Sequence, residues 1–154
     1  DWDSAPPQQE IFDLIFSKSK DQIIWGGNYF ADKLPIRMGW LIWDKGQRDF
    51  SLSDGELAWT SFSQALRIKT YARAKAMQDG KRHPTQKSVT VTKWAIQQCK
   101  YWDTPLTILD PFGGSGTTAV ACKEMKKDCV IIEINEKYCE IAKKRLQNTQ
   151  VPFL

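Results

Sequence analysis

The sequence predicts an α/β fold built on a parallel sheet with helices on both faces. Three observations carry that expectation. The second half alternates strand, helix, strand, helix. Its strands are short continuous apolar runs, as in sheets covered on both sides. The first of them empties into a glycine-rich turn that opens a helix. At 154 residues, 42% of them apolar, the chain is long enough to bury a single layered core.

In the first half, Ser4 followed by Pro6 and Pro7 marks a helix start, because proline suits the first turn. Ile11, Phe12, Leu14, Ile15 and Phe16 then supply an apolar face as far as about Ser19. Residues 22–25 form a short apolar run stopped by Gly26 and Gly27, which reads as a buried strand. A short helix is expected over 28–34, ending before Pro35. Residues 38–43 predict a second strand and 56–62 a third. A fourth, 65–71, is expected as hairpin partner of the third. Residues 73–86 are polar, basic and without period, and predict a loop.

The second half reads more simply. Residues 89–99 suit a helix despite a β-branched start. A strand over 106–109 runs into Asp110-Pro111-Phe112-Gly113-Gly114-Ser115-Gly116, followed by a helix over 117–126. Residues 129–132 form the next strand, closing on Glu133. Tyr138, Ile141, Ala142 and Leu146 mark a final amphipathic helix. The strands 106–109 and 129–132 are expected to lie side by side and parallel, with 117–126 as a right-handed crossover.

Composition bounds the function classes. Seven tryptophans are spread along the chain, and a core role is expected for most of them. Four cysteines, with no C-x-x-C pair and His83 as the lone histidine, argue against a zinc or iron–sulfur site. Cys122, Cys129 and Cys139 fall in or beside apolar runs and read as buried reduced thiols. No apolar stretch approaches membrane-spanning length and no basic-then-apolar leader is present, so a cytoplasmic location is expected. The formal charge of +4 says little alone. Its distribution says more: Arg67, Lys69, Arg73, Lys75, Lys81, Arg82 and Lys87 meet only Asp79 in their stretch. Such a strip either tracks a phosphate backbone or is a solvated loop with surplus cations.

The chemistry concentrates in residues 110–118. Glycines let the backbone turn tightly and approach a ligand that a Cβ would block, at the carboxyl end of a strand where open α/β sheets bind ligands. Glu133 ends the next strand, at about the offset where an acidic residue accepts from ribose hydroxyls in dinucleotide folds. Together they indicate a ligand containing a nucleoside. A phosphate-binding loop needs a lysine after the last glycine, and none follows Gly116. A dinucleotide fingerprint needs G-x-G-x-x-G, which Gly113, Gly114 and Gly116 do not supply. Asp110 at the head of the turn suits a positive amino group rather than a pyrophosphate. S-adenosylmethionine carries both an ammonium and a ribose.

The residues from Asp110 to Thr118 resemble the cofactor loop of DNA amino-methyltransferases that modify adenine N6 or cytosine N4. His83-Pro84-Thr85-Gln86-Lys87 resembles that family's second cofactor signature, which ends in proline where this chain has Ser88. The order of the two signatures matches one subgroup. Trp25-Gly26-Gly27-Asn28-Tyr29-Phe30 and Trp43-Asp44-Lys45 also look like the related phage and bacterial enzymes. The chain as a whole resembles their site-specific adenine methyltransferases, so adenine N6 is expected ahead of cytosine N4. It implies a three-layer Rossmann-like methyltransferase fold over nearly the whole chain. Residues 1–72 would form the substrate-side half, 73–82 a basic loop and 83–150 the cofactor half. S-adenosylmethionine would be the cofactor and DNA the partner, with no membrane involved. Asp110 would contact the methionine amino group, Phe112 would flank the cofactor, and Gly113, Gly114, Ser115, Gly116 and Thr117 would close around it. Thr85 and Lys87 would bind the carboxylate, Glu133 would accept from the ribose, and Arg73, Lys75, Lys81 and Arg82 would meet DNA. His83 invites a general-base role, but its place in the signature implies a structural one.

One family element is missing. The catalytic tetrapeptide is a polar residue, two prolines and an aromatic, and no such segment exists in the 154 residues. Ala5-Pro6-Pro7-Gln8 has the prolines without the polar head or the aromatic. In the subgroup the tetrapeptide lies shortly before a segment like Trp2-Asp3-Ser4, so an N-terminally truncated and inactive fragment is expected ahead of a naturally inactive protein, with no catalytic residue of its own. The fold would then be incomplete, lacking the central strand between 106–109 and 22–25. Those two strands are expected either to pair directly or to recruit a second copy as a homo-oligomer. The alternative is a module that binds S-adenosylmethionine or nucleic acid without catalysis.

Overall fold

The structure is a computed structural model that describes residues 6–49, 51–78 and 86–151. It consists of two compact units, Asp1–Ala72 and Arg73–Leu154. In the first, helix α1 (Gln9–Lys18) precedes strands β1 (Ile23–Trp25), β2 (Trp40–Asp44), β3 (Gly55–Thr60) and β4 (Arg67–Thr70). The expected helix over 28–34 is reduced to one 3-10 turn, Gly27–Tyr29, followed by a hydrogen-bonded turn from Phe30 to Lys33.

The strands form one sheet in the order β1-β3-β2-β4. β3 runs antiparallel to both β1 and β2, with Trp59 opposite Ile24 on one side and Trp40 on the other. The expected β3–β4 hairpin is therefore corrected: β4 pairs parallel with β2, Ile42 opposite Ile68. Both edges of β3 are already occupied, which leaves the free edge of β2 as the place for β4.

Tryptophans organise this unit: Trp43 and Trp59 are in the core and Trp25 and Trp40 are half-buried. In the second unit Trp94 is half-buried and Trp102 exposed, and Trp2 lies outside the described residues. Trp59 packs with Phe12 and Leu34, and Phe16 meets it edge-on at 5.8 Å. A buried indole N–H needs a partner. Trp59 donates to the Pro35 carbonyl at 2.8 Å and Trp43 to the Tyr71 carbonyl at 2.8 Å.

In the second unit, α2 (Arg73–Gln78) is followed by α3 (Val89–Gln97), β5 (Thr107–Asp110), α4 (Thr117–Glu124), β6 (Asp128–Ile131) and α5 (Glu136–Asn148). The basic stretch expected as loop thus begins as a helix. Arg-Ala-Lys-Ala-Met-Gln is made of strong helix formers, and six residues are too few to display a period. Ser88 has a local role: its hydroxyl caps α3, accepting from Thr90 N–H at 3.1 Å.

β5 and β6 are adjacent and parallel, Ile108 opposite Cys129 and Asp110 opposite Ile131, with α4 in the connection between them. Val89, Ile96, Val120, Ala121 and Cys122 form the core under one face, joined by Ile108, Cys129 and Leu146. Lys93 bridges α3 to Glu124 of α4 at 2.6 Å. Of the two alternatives expected for 106–109 and 22–25, the direct pairing is not formed among the described residues. β5 bonds to β6 and β1 to β3, in separate sheets belonging to separate units. Each keeps one edge without a strand among the described residues.

No helix among the described residues is long and apolar enough to cross a membrane, and no metal-binding cluster occurs among them. All four cysteines are free thiols. Cys122 is buried, while Cys129 and Cys139 are only half-buried. Burial, with Cys129 as its neighbour, pushes the Cys122 thiol up to about 12. At about pH 8 it therefore stays protonated and unreactive, because the thiolate is the nucleophile. Alkylation of the folded chain should spare Cys122 and reach it only in denaturant, as read by peptide mass spectrometry. Equal labelling in both states would contradict the packing of α4.

Candidate functional site

The turn at the carboxyl end of β5 is fixed by backbone bonds that strand register alone does not supply. Gly113 N–H donates to the Ile132 carbonyl at 2.9 Å and Ile132 N–H to the Asp110 carbonyl at 2.9 Å, extending the ladder past both strands. Gly116 N–H closes a turn onto the Gly113 carbonyl at 2.8 Å. Gly114 and Gly116 have φ of +50° and +78°, the left-handed region that favours glycine. A Cβ on Gly116 would lie 2.6 Å from the Ala142 Cβ of α5, and one on Gly113 would overlap the Ile131 side chain. Nothing lies within 4 Å of a Cβ built on Gly114, so that side of the turn is open.

Two carboxylates frame the turn. Asp110 Oδ1 accepts from Phe112 N–H at 3.0 Å. Glu133 Oε2 accepts from Gly114 N–H at 2.7 Å, and its Oε1 accepts from Asn135 N–H at 2.7 Å. A carboxylate offers about four lone-pair sites, so Glu133 is oriented by two donors and keeps capacity for about two more. Both distances are short, as expected for bonds to a charged acceptor. Phe112 is 62% exposed at the mouth of the turn.

The structure thus brings Asp110, Phe112, Gly113, Gly114, Ser115, Gly116, Thr117 and Glu133 together. Lys87 is half-buried, between buried Gln86 and Ser88, at the start of α3. Arg73 and Lys75 lie on α2. Thr85, Lys81, Arg82 and His83 lie outside the described residues. Two contributors escaped sequence reasoning. Ile134 is 96% exposed directly after Glu133, an apolar surface beside the carboxylate. Arg145 of α5 reaches Ser115 and Thr117, and sits in a Lys-Lys-Arg run that reads as ordinary solvated charge.

The Trp43-Asp44-Lys45 segment is engaged structurally. Asp44 accepts from Arg48, Gly46 N–H and Thr70, and the Arg48 guanidinium foremost holds its carboxyl well below the usual carboxylate range. Lys45 pairs with Glu56 at 3.1 Å, joining β2 to β3.

Comparison with known proteins gives one consistent family. The DNA methylase family model matches residues 7–144. Type II methyltransferase M2.DpnII of Streptococcus pneumoniae is 39% identical over 95% of this chain and 49% of its own length. Type II methyltransferase M.SmaI of Serratia marcescens is 56% identical over 25% of this chain and 13% of its own. The chain therefore spans at most about half the length of these relatives. In fold it is similar to the M1.HpyAVI–SAM complex, at 25% identity and a TM-score of 0.59, over 82% of this chain and 74% of that one. M1.HpyAVI itself aligns with a TM-score of 0.65 at 22% identity, over 92% of this chain and 83% of that one.

The two left-handed glycines should differ in cost. Gly116→Ala adds an overlap with Ala142 to its backbone strain and should destabilise by about 3 kcal/mol, against about 1 kcal/mol for Gly114→Ala. Urea denaturation measures both, and equal losses would contradict the seating of the turn on α5.

Proposed function

The chain belongs to the N6/N4 DNA methylase family, and from that membership we propose that it is the cofactor-binding part of an enzyme that methylates an exocyclic amino group of a DNA base. The observation that carries this reading is the turn 110–116 facing Glu133, whose carboxylate is oriented but not exhausted. S-adenosylmethionine is the cofactor, and when bound it supplies an electrophilic methyl group on a sulfonium. The residues present fit it: the space over Gly114 is open, and an acceptor stands on each side.

Asp110 keeps Oδ2 for the methionine ammonium while Oδ1 holds Phe112 N–H. The remaining lone pairs of Glu133 accept from the ribose hydroxyls. Phe112 and Ile134, both exposed and apolar, offer surfaces to the adenine ring. Lys87, with Thr85 and the first turn of α4, takes the carboxylate. DNA is the substrate, met through Arg73 and Lys75 together with Lys81 and Arg82, so its affinity falls with rising salt. The target base is extruded from the stack, since its amino nitrogen is unreachable within the duplex. The resemblance of the chain as a whole to site-specific adenine methyltransferases favours adenine N6 over cytosine N4.

A second reading rests on one specific observation. The 154 residues contain no polar-Pro-Pro-aromatic segment, so nothing here holds the target nitrogen in line with the methyl group. Such positioning supplies about 7–11 kcal/mol of a barrier. The chain alone should accordingly transfer no radiolabelled methyl to mixed-sequence DNA, whereas a chain extended upstream through such a tetrapeptide should. Transfer by the 154-residue chain would overturn the requirement for such a tetrapeptide. Inactivity of both would favour a binding module that has no catalytic role.

A further inference from the structure

The turn is gripped from two sides, and the second grip belongs to no signature in the sequence. Arg145 is half-buried on α5, and its Nη1 lies 2.7 Å from the Ser115 carbonyl oxygen. The same nitrogen is 3.1 Å from Ser115 Oγ and 3.1 Å from Thr117 Oγ1, spanning Gly116. Three residues earlier on the same helical face, Ala142 fills the space that a Gly116 side chain would need. The same end of α5 is also tied to α4, since Lys123 Nζ donates to the Leu146 carbonyl at 2.6 Å. α5 therefore acts as a template for the turn, although none of its residues is fully buried.

These bonds settle the peptide planes of the turn one by one. The 113–114 peptide is held at both ends, its carbonyl by Gly116 N–H and its N–H by Glu133. The 115–116 peptide is likewise held, its N–H by the Gly113 carbonyl and its carbonyl by Arg145. The 114–115 peptide between them has no hydrogen bond to any described residue, which leaves it for a ligand. A glycine-rich segment has little intrinsic preference between alternative peptide orientations, so the two clamps select one.

We propose that Arg145 is a positioning residue for the cofactor turn, holding the 115–116 peptide so that the turn stays shaped for S-adenosylmethionine. The cofactor part of this proposal rests on the function proposed above, but the positioning of the turn does not. The test compares the chain with Arg145→Met, which keeps an apolar stem, and Arg145→Lys, which keeps a stem and a charged donor. Amide hydrogen exchange is followed at residues 114–117 in the cofactor-free chain, and S-adenosylhomocysteine binding is measured by calorimetry.

Arg145→Met should speed exchange in the turn and weaken binding, each about tenfold, the scale of a lost bond to a charged donor. Exchange in β5 and β6 should stay as in the parent. Arg145→Lys should restore most of both effects. If Arg145→Met kept the exchange rates and the affinity of the parent, the stem alone would suffice and the proposal would fall. If the parent chain bound no S-adenosylhomocysteine while its turn still loosened in Arg145→Met, the cofactor reading would fall and the positioning role would stand.

Discussion

The Glu133 carboxylate joins the two ends of the site. It closes the β6 strand end through Asn135 N–H and holds the glycine turn after β5 through Gly114 N–H. Parallel strands place the ends of β5 and β6 side by side, but strand register alone does not fix a glycine turn. A charged acceptor with two backbone donors does, at a net contribution of about 1.5–3 kcal/mol per bond. In the proposed function the same group is the acceptor offered to the ribose, so one residue would both shape the site and read the ligand. Its removal would loosen the turn and delete that contact together.

Around that pivot the second unit is built as a frame. α4 starts at the left-handed Gly116, packs on α3, and carries buried Ala119, Val120, Ala121 and Cys122 into the core. α5 closes over the turn through Ala142 and Arg145. The other face of the sheet leaves Leu109, Val130 and Ile132 exposed. Parallel sheets are ordinarily covered on both faces, so this one is covered on one face only among the described residues. The first unit has its own core cluster of Phe12, Leu34 and Trp59, while at the end of β2 Trp43 is buried and the following Lys45 pairs with Glu56.

The sequence made β5, the turn, α4 and β6 legible because each signal there is local. An apolar run, three glycines and an acidic strand end need no knowledge of what lies across the fold. The pairing of β4 with β2 was not legible, since it depends on which strand edges remain free once β1 and β2 have flanked β3. Helix α2 was hidden because six residues show no period, although their propensities are high. Arg145 was hidden for another reason: beside Lys143 and Lys144 it has the pattern of a solvated face, and only the approach of α5 to Ser115 distinguishes it. Ile134 likewise gains meaning only from its near-complete exposure next to Glu133.

The central claim is that Asp110 and Glu133 bind S-adenosylmethionine from opposite sides of the glycine turn. Titration calorimetry of S-adenosylhomocysteine against the chain, Asp110→Ala and Glu133→Ala tests it most directly. The account predicts one site in the parent and a loss of about tenfold or more in each variant, from one charge-assisted bond removed. Unchanged affinity in both variants, with binding intact in the parent, would contradict it.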